Sequence, residues 1–228
     1  MEKKQSDLCR AILGRFHKAG ILDDIILIGS WCVYFYKDYF TGTPYIDQAT
    51  IKTRDLDFLI DQPSKISRAV NIPELLNDLG FIVDYKGSQG YIKLDHPELI
   101  VEFLVPEKGR GTDKPFPIPK LGINATALRF LNFLSVNTIQ VKVDDFRLTV
   151  PHPANFALHK LIIFQRRTSK EKAAKDRNVA IEVLKALIDK DEAILIKKVF
   201  DGIPRPWQAK IIMGLKKAGQ KEVLALLG

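Results

Sequence analysis

Cysteine is almost absent from this chain. Cys9 and Cys32 are the only two in 228 residues, too few and too isolated for a disulfide framework or a zinc site. They are expected as reduced, partly buried thiols. Membrane-length apolar runs are missing too. A stretch such as Ile25–Ile28 is strand-sized, against the roughly 20 residues needed to cross a bilayer. The opening Met1-Glu2-Lys3-Lys4-Gln5 leads into no apolar segment of signal-peptide length, so a cytoplasmic protein without a membrane partner is expected. The four histidines, His17, His96, His152 and His159, show no metal-ligand spacing and are expected at the surface or in packing. No internal repeat or low-complexity segment is apparent.

What is present is material for a packed core. Residues are 46% hydrophobic and 27% charged, which excludes collagen and bulk disorder. The formal charge of +8 is unevenly distributed. Residues 1–149 carry 19 basic and 19 acidic side chains, whereas residues 150–228 carry 16 and 8. The front is electroneutral and the back is basic.

Element type changes at the same place. A helix is expected over Ser6–Ala19, with Ser6 as N-cap and Gly20 as stop. A buried strand follows at Ile25–Ile28, then Gly29-Ser30 and an aromatic helix over Trp31–Phe40. Trp31, Tyr34, Phe35 and Tyr36 are expected in the core. Residues 41–53 read as a loop and Asp55–Ile60 as a half-buried strand. Ser64–Leu79 is a helix candidate that Pro73 interrupts. Strands are expected over Phe81–Tyr85, Tyr91–Leu94 and Leu99–Val105, the first two joined by a turn at 87–90. Residues 106–120 read as a surface loop, and 138–143 with 146–150 as a hairpin. Beyond Pro151 the pattern is helical, with a Thr168/Glu171 capping box, Asp189 or Asp191 capping a third helix, and a fourth over Trp207–Ala218. The expectation is an α+β protein. A mixed β-sheet flanked by helices occupies residues 1–150, and a basic helical bundle occupies 151–228.

Three features carry chemistry. Asp55 and Asp57, at i and i+2 of a strand, project to one face roughly 6–7 Å apart. Carboxylates held that way can share divalent cations; two solvated acids on an amphipathic strand are the plain alternative. Gly29-Ser30 closes a buried strand and opens a helix, offering N–H groups and a hydroxyl to a phosphate, or merely a turn. Glu102 lies within Leu99-Ile100-Val101-Glu102-Phe103-Leu104, where an acid is costly to bury unless a metal, cation or donor faces it. In this order the three are far more specific than any one alone.

In these residues the chain resembles the polymerase-β-like nucleotidyltransferase superfamily, and most closely its bacterial and archaeal branch of AbiEii-type toxins. Gly29-Ser30, Asp55-Leu56-Asp57 and Val101-Glu102-Phe103-Leu104 carry the match. Lys160 and the pair Lys175-Asp176 stand where the branch has a lysine helix and a Lys-Asp pair. The gap before Asp55 is longer than in compact members, and no second acid follows Asp176. The resemblance implies that Asp55, Asp57 and Glu102 are catalytic and hold Mg²⁺, in a two-metal site. It also implies that Gly29 and Ser30 hold the β/γ phosphates of an NTP, with Asp176 as an accessory residue. Lys160 and Arg167, seven residues apart on a shared helix face, are expected to reach triphosphate oxygens. For Lys172 and Asp176 an ordinary i, i+4 ion pair is expected.

The implied activity is transfer of a nucleoside monophosphate to a hydroxyl acceptor with release of pyrophosphate. The basic helical half favours RNA, such as a tRNA end. A small acceptor such as an aminoglycoside usually asks for an acidic pocket, while nucleotidylation of a protein stays open. The toxin-like branch also implies an antitoxin partner. The competing class is a nucleotide- or nucleic-acid-binding module without turnover, and a structural adaptor with scattered surface acids is a third.

Overall fold

A computed structural model describes residues 3–44, 53–111 and 114–228. The expected loop 41–53 therefore lies partly outside the described residues. The chain divides into two compact units, Met1–Phe35 with Gln48–Pro151, and Tyr36–Asp47 with His152–Gly228.

The first unit is built on a mixed sheet. Strands β1 (Ile26–Ile28), β2 (Asp55–Leu59), β3 (Ile82–Lys86), β4 (Tyr91–Asp95) and β5 (Ile100–Pro106) lie in the order β1-β2-β5-β4-β3. β2 and β5 are parallel, and the other neighbours on this path are antiparallel. β6 (Phe116–Ile118) pairs with β7 (Ile123–Leu128), and β7 runs parallel to the end of β5. The proline-rich segment read as loop thus contains a strand. Its Phe116-Pro117-Ile118 has an antiparallel partner in Asn124 and its neighbours, which composition does not disclose. β8 (Thr138–Val143) and β9 (Phe146–Pro151) form the expected hairpin.

Alternation along the strands assigns the two sheet faces. Leu56, Phe58, Val101 and Phe103 are buried on one face, where α1 (Lys3–Lys18) packs. Phe16 of α1 meets Phe58 edge-on at 5.3 Å and Phe103 at 6.3 Å, and Phe58 stacks on Phe103 at 5.7 Å. Leu59 pairs with Ile26 and Leu104 on the opposite face. There Ile28, Leu59 and Leu104 join Leu131 and Leu134 in a second apolar cluster. Leu134 belongs to the short helix α4 (Asn132–Ser135).

Local signals shift in instructive ways. Ser6 lies inside α1 and its hydroxyl pairs with that of Tyr34 at 2.8 Å, so it is not the N-cap. Pro73 does not interrupt a helix but stands in the first turn of α3 (Ile72–Asn77), where Asn71 caps the Glu74 N–H. A short 3-10 turn at Pro63–Lys65 takes the rest of that segment. The aromatic helix is only α2, Trp31–Phe35.

In the second unit Tyr36 and Phe40 are buried, and Tyr36 meets Phe156 of α5 (Pro153–Ile163) edge-on at 5.6 Å. The Tyr39 hydroxyl donates to Glu192 at 2.5 Å and accepts from His152 Nε2 at 2.9 Å. His152 Nδ1 accepts the Ala154 N–H at 3.2 Å, which fixes the neutral tautomer and caps α5. Docking of these aromatics overrides the helical pattern that begins at Trp31.

The remaining helices are α6 (Lys170–Asp189), α7 (Ala193–Asp201), α8 (Arg205–Lys217) and α9 (Lys221–Leu227). Ser169, not Thr168, caps α6 by accepting the Lys172 N–H at 3.3 Å. Neither Asp189 nor Asp191 caps α7, whose N-cap Glu192 makes no capping bond and instead receives Tyr39 and Lys190. Cys9 and Cys32 are thiols, not a disulfide, and are fully buried, more deeply than expected; burial pushes the Cys9 thiol well above its ordinary range. Among the described residues no helix is long and apolar enough to cross a membrane.

Because Phe58 contacts both Phe16 and Phe103, Phe58→Ala is expected to cost about 3–5 kcal/mol. Urea unfolding followed by circular dichroism measures it. A loss under about 1 kcal/mol would mean that this aromatic trio is not the core of the first unit.

Candidate functional site

The three carboxylates come from adjacent strands. Parallel pairing of β2 with β5 sets Asp57 opposite Glu102 and Asp55 opposite Ile100. Cross-strand partners point to one side of a sheet, with strands about 4.8 Å apart. Asp55, Asp57 and Glu102 therefore share a face, half-buried. Farther along that face Leu59 and Leu104 replace them and enter the second apolar cluster. One face of two strands is acidic at its beginning and greasy at its end.

Gly29 brings the Gly-Ser turn onto this constellation. Its φ is +76°, and a Cβ built there would stand 2.5 Å from Asp57 Oδ2. The glycine is required twice, for its left-handed backbone and for the space that the carboxylate uses. Ser30 follows, and its C=O accepts the Val33 N–H at 3.2 Å. α2 has only five residues, so any pull on an anion comes from the turn's own N–H groups and hydroxyl more than from a helix dipole.

Glu102 has a partner that spacing does not reveal. Lys93 Nζ of β4 donates to Glu102 Oε1. The side chains are 29% and 18% exposed, so this pair is screened less than a surface one. The cation that an acid in an apolar strand demands is thus supplied by the chain. The only advance signal was the alternation of Tyr91–Leu94, which gives Lys93 a face but not a partner. Next to Asp55, Arg54 donates to Asp95 at 3.3 Å and to the His96 carbonyl at 2.7 Å.

The donor set suits a hard divalent cation: three carboxylates, with two in direct register. Convergence is incomplete. Among the described residues no group of three or more His, Cys, Asp or Glu side chains stands close enough to hold a metal, and the carboxylate of Glu102 is engaged by Lys93.

Lys160, Arg167 and Asp176 gather in the second unit. Lys160 and Arg167 do not share a helix face as expected: α5 ends at Ile163, and Arg167 stands in extended backbone after a 3-10 turn at Phe164–Arg166. Lys160 Nζ donates to Asp176 Oδ1 at 2.5 Å and Arg167 Nε to Oδ2 at 2.8 Å. Lys160 and Asp176 are each 7% exposed in their side chains, Arg167 42%. Asp176 is therefore shared by two cations, and the pairing expected with Lys172 gives way to a buried Lys160–Asp176 pair that the part-exposed Arg167 joins. Burial opposes ionisation of Asp176, but Lys160 and then Arg167 outweigh it and hold its carboxyl below the usual range. His159 beside them is pushed down to about 3, by burial first and by Lys160 second. Its buried Nε2 has no hydrogen-bond partner among the described residues.

The family model described as nucleotidyltransferase matches residues 8–201. No curated protein matches the chain. Among solved structures the chain is similar to an antigenic nucleotidyltransferase-like protein from Paracoccidioides brasiliensis, at 12% identity and a TM-score of 0.49, over 97% of this chain and 92% of that one. It is also similar to ANT(2")-Ia in complex with adenylyl-2"-tobramycin, at 10% identity and a TM-score of 0.48, over 86% of this chain and 97% of that one.

Two outcomes follow from this geometry. Gly29→Ala is expected to cost at least about 1–2 kcal/mol from the backbone alone, read by denaturant titration; a variant as stable as its parent would show that Asp57 is not lodged against the turn. His159 and Asp176 both have folded pKa values below their unfolded ones. Their contribution is therefore complete above pH 6.5 for His159 and 3.8 for Asp176, and is lost as pH falls through the folded values. Between pH 6 and 4, His159→Leu is expected to flatten the fall in stability by about one proton, roughly 1.4 kcal/mol per pH unit. Parallel curves for parent and variant would show that His159 is not buried as a neutral ring.

Proposed function

This chain belongs to the nucleotidyltransferase family, and on that premise we propose that it moves a nucleoside monophosphate from an NTP to a hydroxyl acceptor, at the face bearing Asp55, Asp57 and Glu102. The acceptor oxygen bonds to the α-phosphorus, the bond to the β-phosphate breaks, and pyrophosphate leaves. The observation that carries the reading is the registered pair Asp57–Glu102, with Gly29 packed against Asp57.

Asp55, Asp57 and Glu102 would hold magnesium, two ions in the fullest form. When bound, such ions offset the triphosphate charge and steady the attacking and leaving oxygens. Glu102 takes the proton of the acceptor hydroxyl. The N–H groups of the turn and the Ser30 hydroxyl hold the β/γ phosphates. In the second unit Asp176 holds Arg167 by accepting its Nε–H and is itself held by Lys160. The two terminal nitrogens of Arg167 are the groups we assign to phosphate oxygens. Lys160, expected to reach them too, is instead buried on Asp176 and is assigned here as the charge that keeps that carboxylate ionised.

For the acceptor we propose RNA, such as a tRNA end. The support is the basic density of residues 166–177, where Arg166, Arg167, Lys170, Lys172, Lys175 and Arg177 outnumber Glu171 and Asp176. The AbiEii-type toxin branch is the proposed affiliation, and an antitoxin the proposed partner. It is favoured by the pairing of Lys160 with Asp176, the two positions that the branch marks on separate helices. A second reading, a binding module without turnover, draws on the hold of Lys93 on Glu102 and the incomplete convergence of the acids.

Protein supplied with Mg²⁺ and α-labelled NTPs is expected to release pyrophosphate and to label RNA. Asp57→Ala should lower the rate about a thousandfold, or about 4 kcal/mol of barrier. Labelling of a small hydroxyl acceptor with none of RNA would reject the RNA acceptor. Nucleotide binding without pyrophosphate release, across all four NTPs and both acceptor classes, would favour the binding module.

A further inference from the structure

Lys93 stands out because its place follows from strand register and its pairing is specific. Leu94 lies opposite Val101 and Asp95 opposite Ile100 in the antiparallel β4–β5 pair, so the next step of the register puts Lys93 beside Glu102. On its other side Lys93 faces Asp84 of β3, but Asp84 is engaged by Lys86. Among the described residues Glu102 is the acid that Lys93 holds. The pair also stands where backbone pairing changes hands. The edge of β5 away from β2 is taken by β4 at Ile100 and Val101 and by β7 from Leu104 onward.

We infer that Lys93 is a positioning residue of this site: its ammonium is a resident counter-ion that holds Glu102 and competes with a divalent cation for that carboxylate, so that tight cation loading waits for the nucleotide. The inference rests on the reading of Asp55, Asp57 and Glu102 as the cation-holding acids. Three carboxylates carry three formal charges, and Lys93 reduces the total to minus two while occupying one donor oxygen. A cation arriving alone meets that competitor and a positive charge a few ångströms away. A cation arriving with a triphosphate brings additional oxygen ligands, and the phosphate oxygens give the displaced Lys93 ammonium a new partner in place of Glu102. The same pair accounts for acids that share a face without converging.

The test is Mn²⁺ binding by the full chain, read from the electron paramagnetic resonance of the free ion, without nucleotide. Lys93→Met is expected to bind Mn²⁺ about tenfold more tightly than the parent, and Lys93→Arg, which keeps the charge, to match the parent. The gain should shrink on Glu102→Gln to the part that charge repulsion alone supplies, with Lys93→Met/Glu102→Gln binding only about two- to threefold more tightly than Glu102→Gln. With a saturating non-hydrolysable NTP analogue, parent and Lys93→Met should agree within about twofold, a convergence that a merely structural lysine would not produce. Lys93→Gln repeats the measurement if Lys93→Met melts early. Equal or weaker Mn²⁺ binding by both neutral variants, with binding still lost in Asp57→Ala, overturns the role of Lys93 alone. Binding that Asp57→Ala leaves unchanged overturns the assignment of the acids, and this inference with it.

Discussion

The parallel pairing of β2 with β5 is the constraint on which the first unit depends. A slip of one residue would turn every side chain of β2 to the other face. Phe58 would leave Phe16 and Phe103, and Asp57 would be driven into the core. The aromatic packing that stabilises the unit and the acid pair that would do its chemistry are thus the same register seen from opposite faces. Selection for a sound core keeps Asp57 beside Glu102 without any further device.

Acids, glycine and lysine then form a chain of dependencies. Gly29 leaves room for Asp57, Asp57 lies beside Glu102, and Glu102 is held by Lys93. Each contact joins a different strand or turn. The site is therefore spread over β1's end, β2, β5 and β4, and no short segment of the sequence contains it. In the second unit the charge pattern is inverted, with one buried acid shared by two cations. A carboxylate so placed is stable only because two positive groups repay its burial, and one of them, Arg167, keeps part of itself in water.

Much of this was legible in the residues. Alternation gave Asp55 and Asp57 one face, and the apolar setting of Glu102 announced that some cation must meet it. Which cation was not legible, because Lys93 is nine residues away and joins Glu102 only through an antiparallel register set by the whole hairpin. The i, i+4 rule offered Lys172 to Asp176, yet Lys160 reaches it from the preceding helix, and tertiary packing won over local spacing. β6 was hidden by its proline: an edge strand tolerates Pro117, while composition alone reads it as loop. Trp31–Phe40 failed for a similar reason, since the burial of Tyr36 and Phe40 beside α5 outweighs the few hydrogen bonds that another helical turn would add.

That excursion has a consequence for how the protein can be divided. The chain enters the second unit at Tyr36, returns to the first by Gln48, and leaves it again at His152. Neither unit is therefore a contiguous stretch of gene. A fragment ending near residue 150 would carry Tyr36, Tyr39 and Phe40 into solvent without Phe156, Glu192 and His152, leaving three aromatic rings exposed to promote aggregation. A single cut near residue 150 therefore divides the second unit rather than separating it from the first.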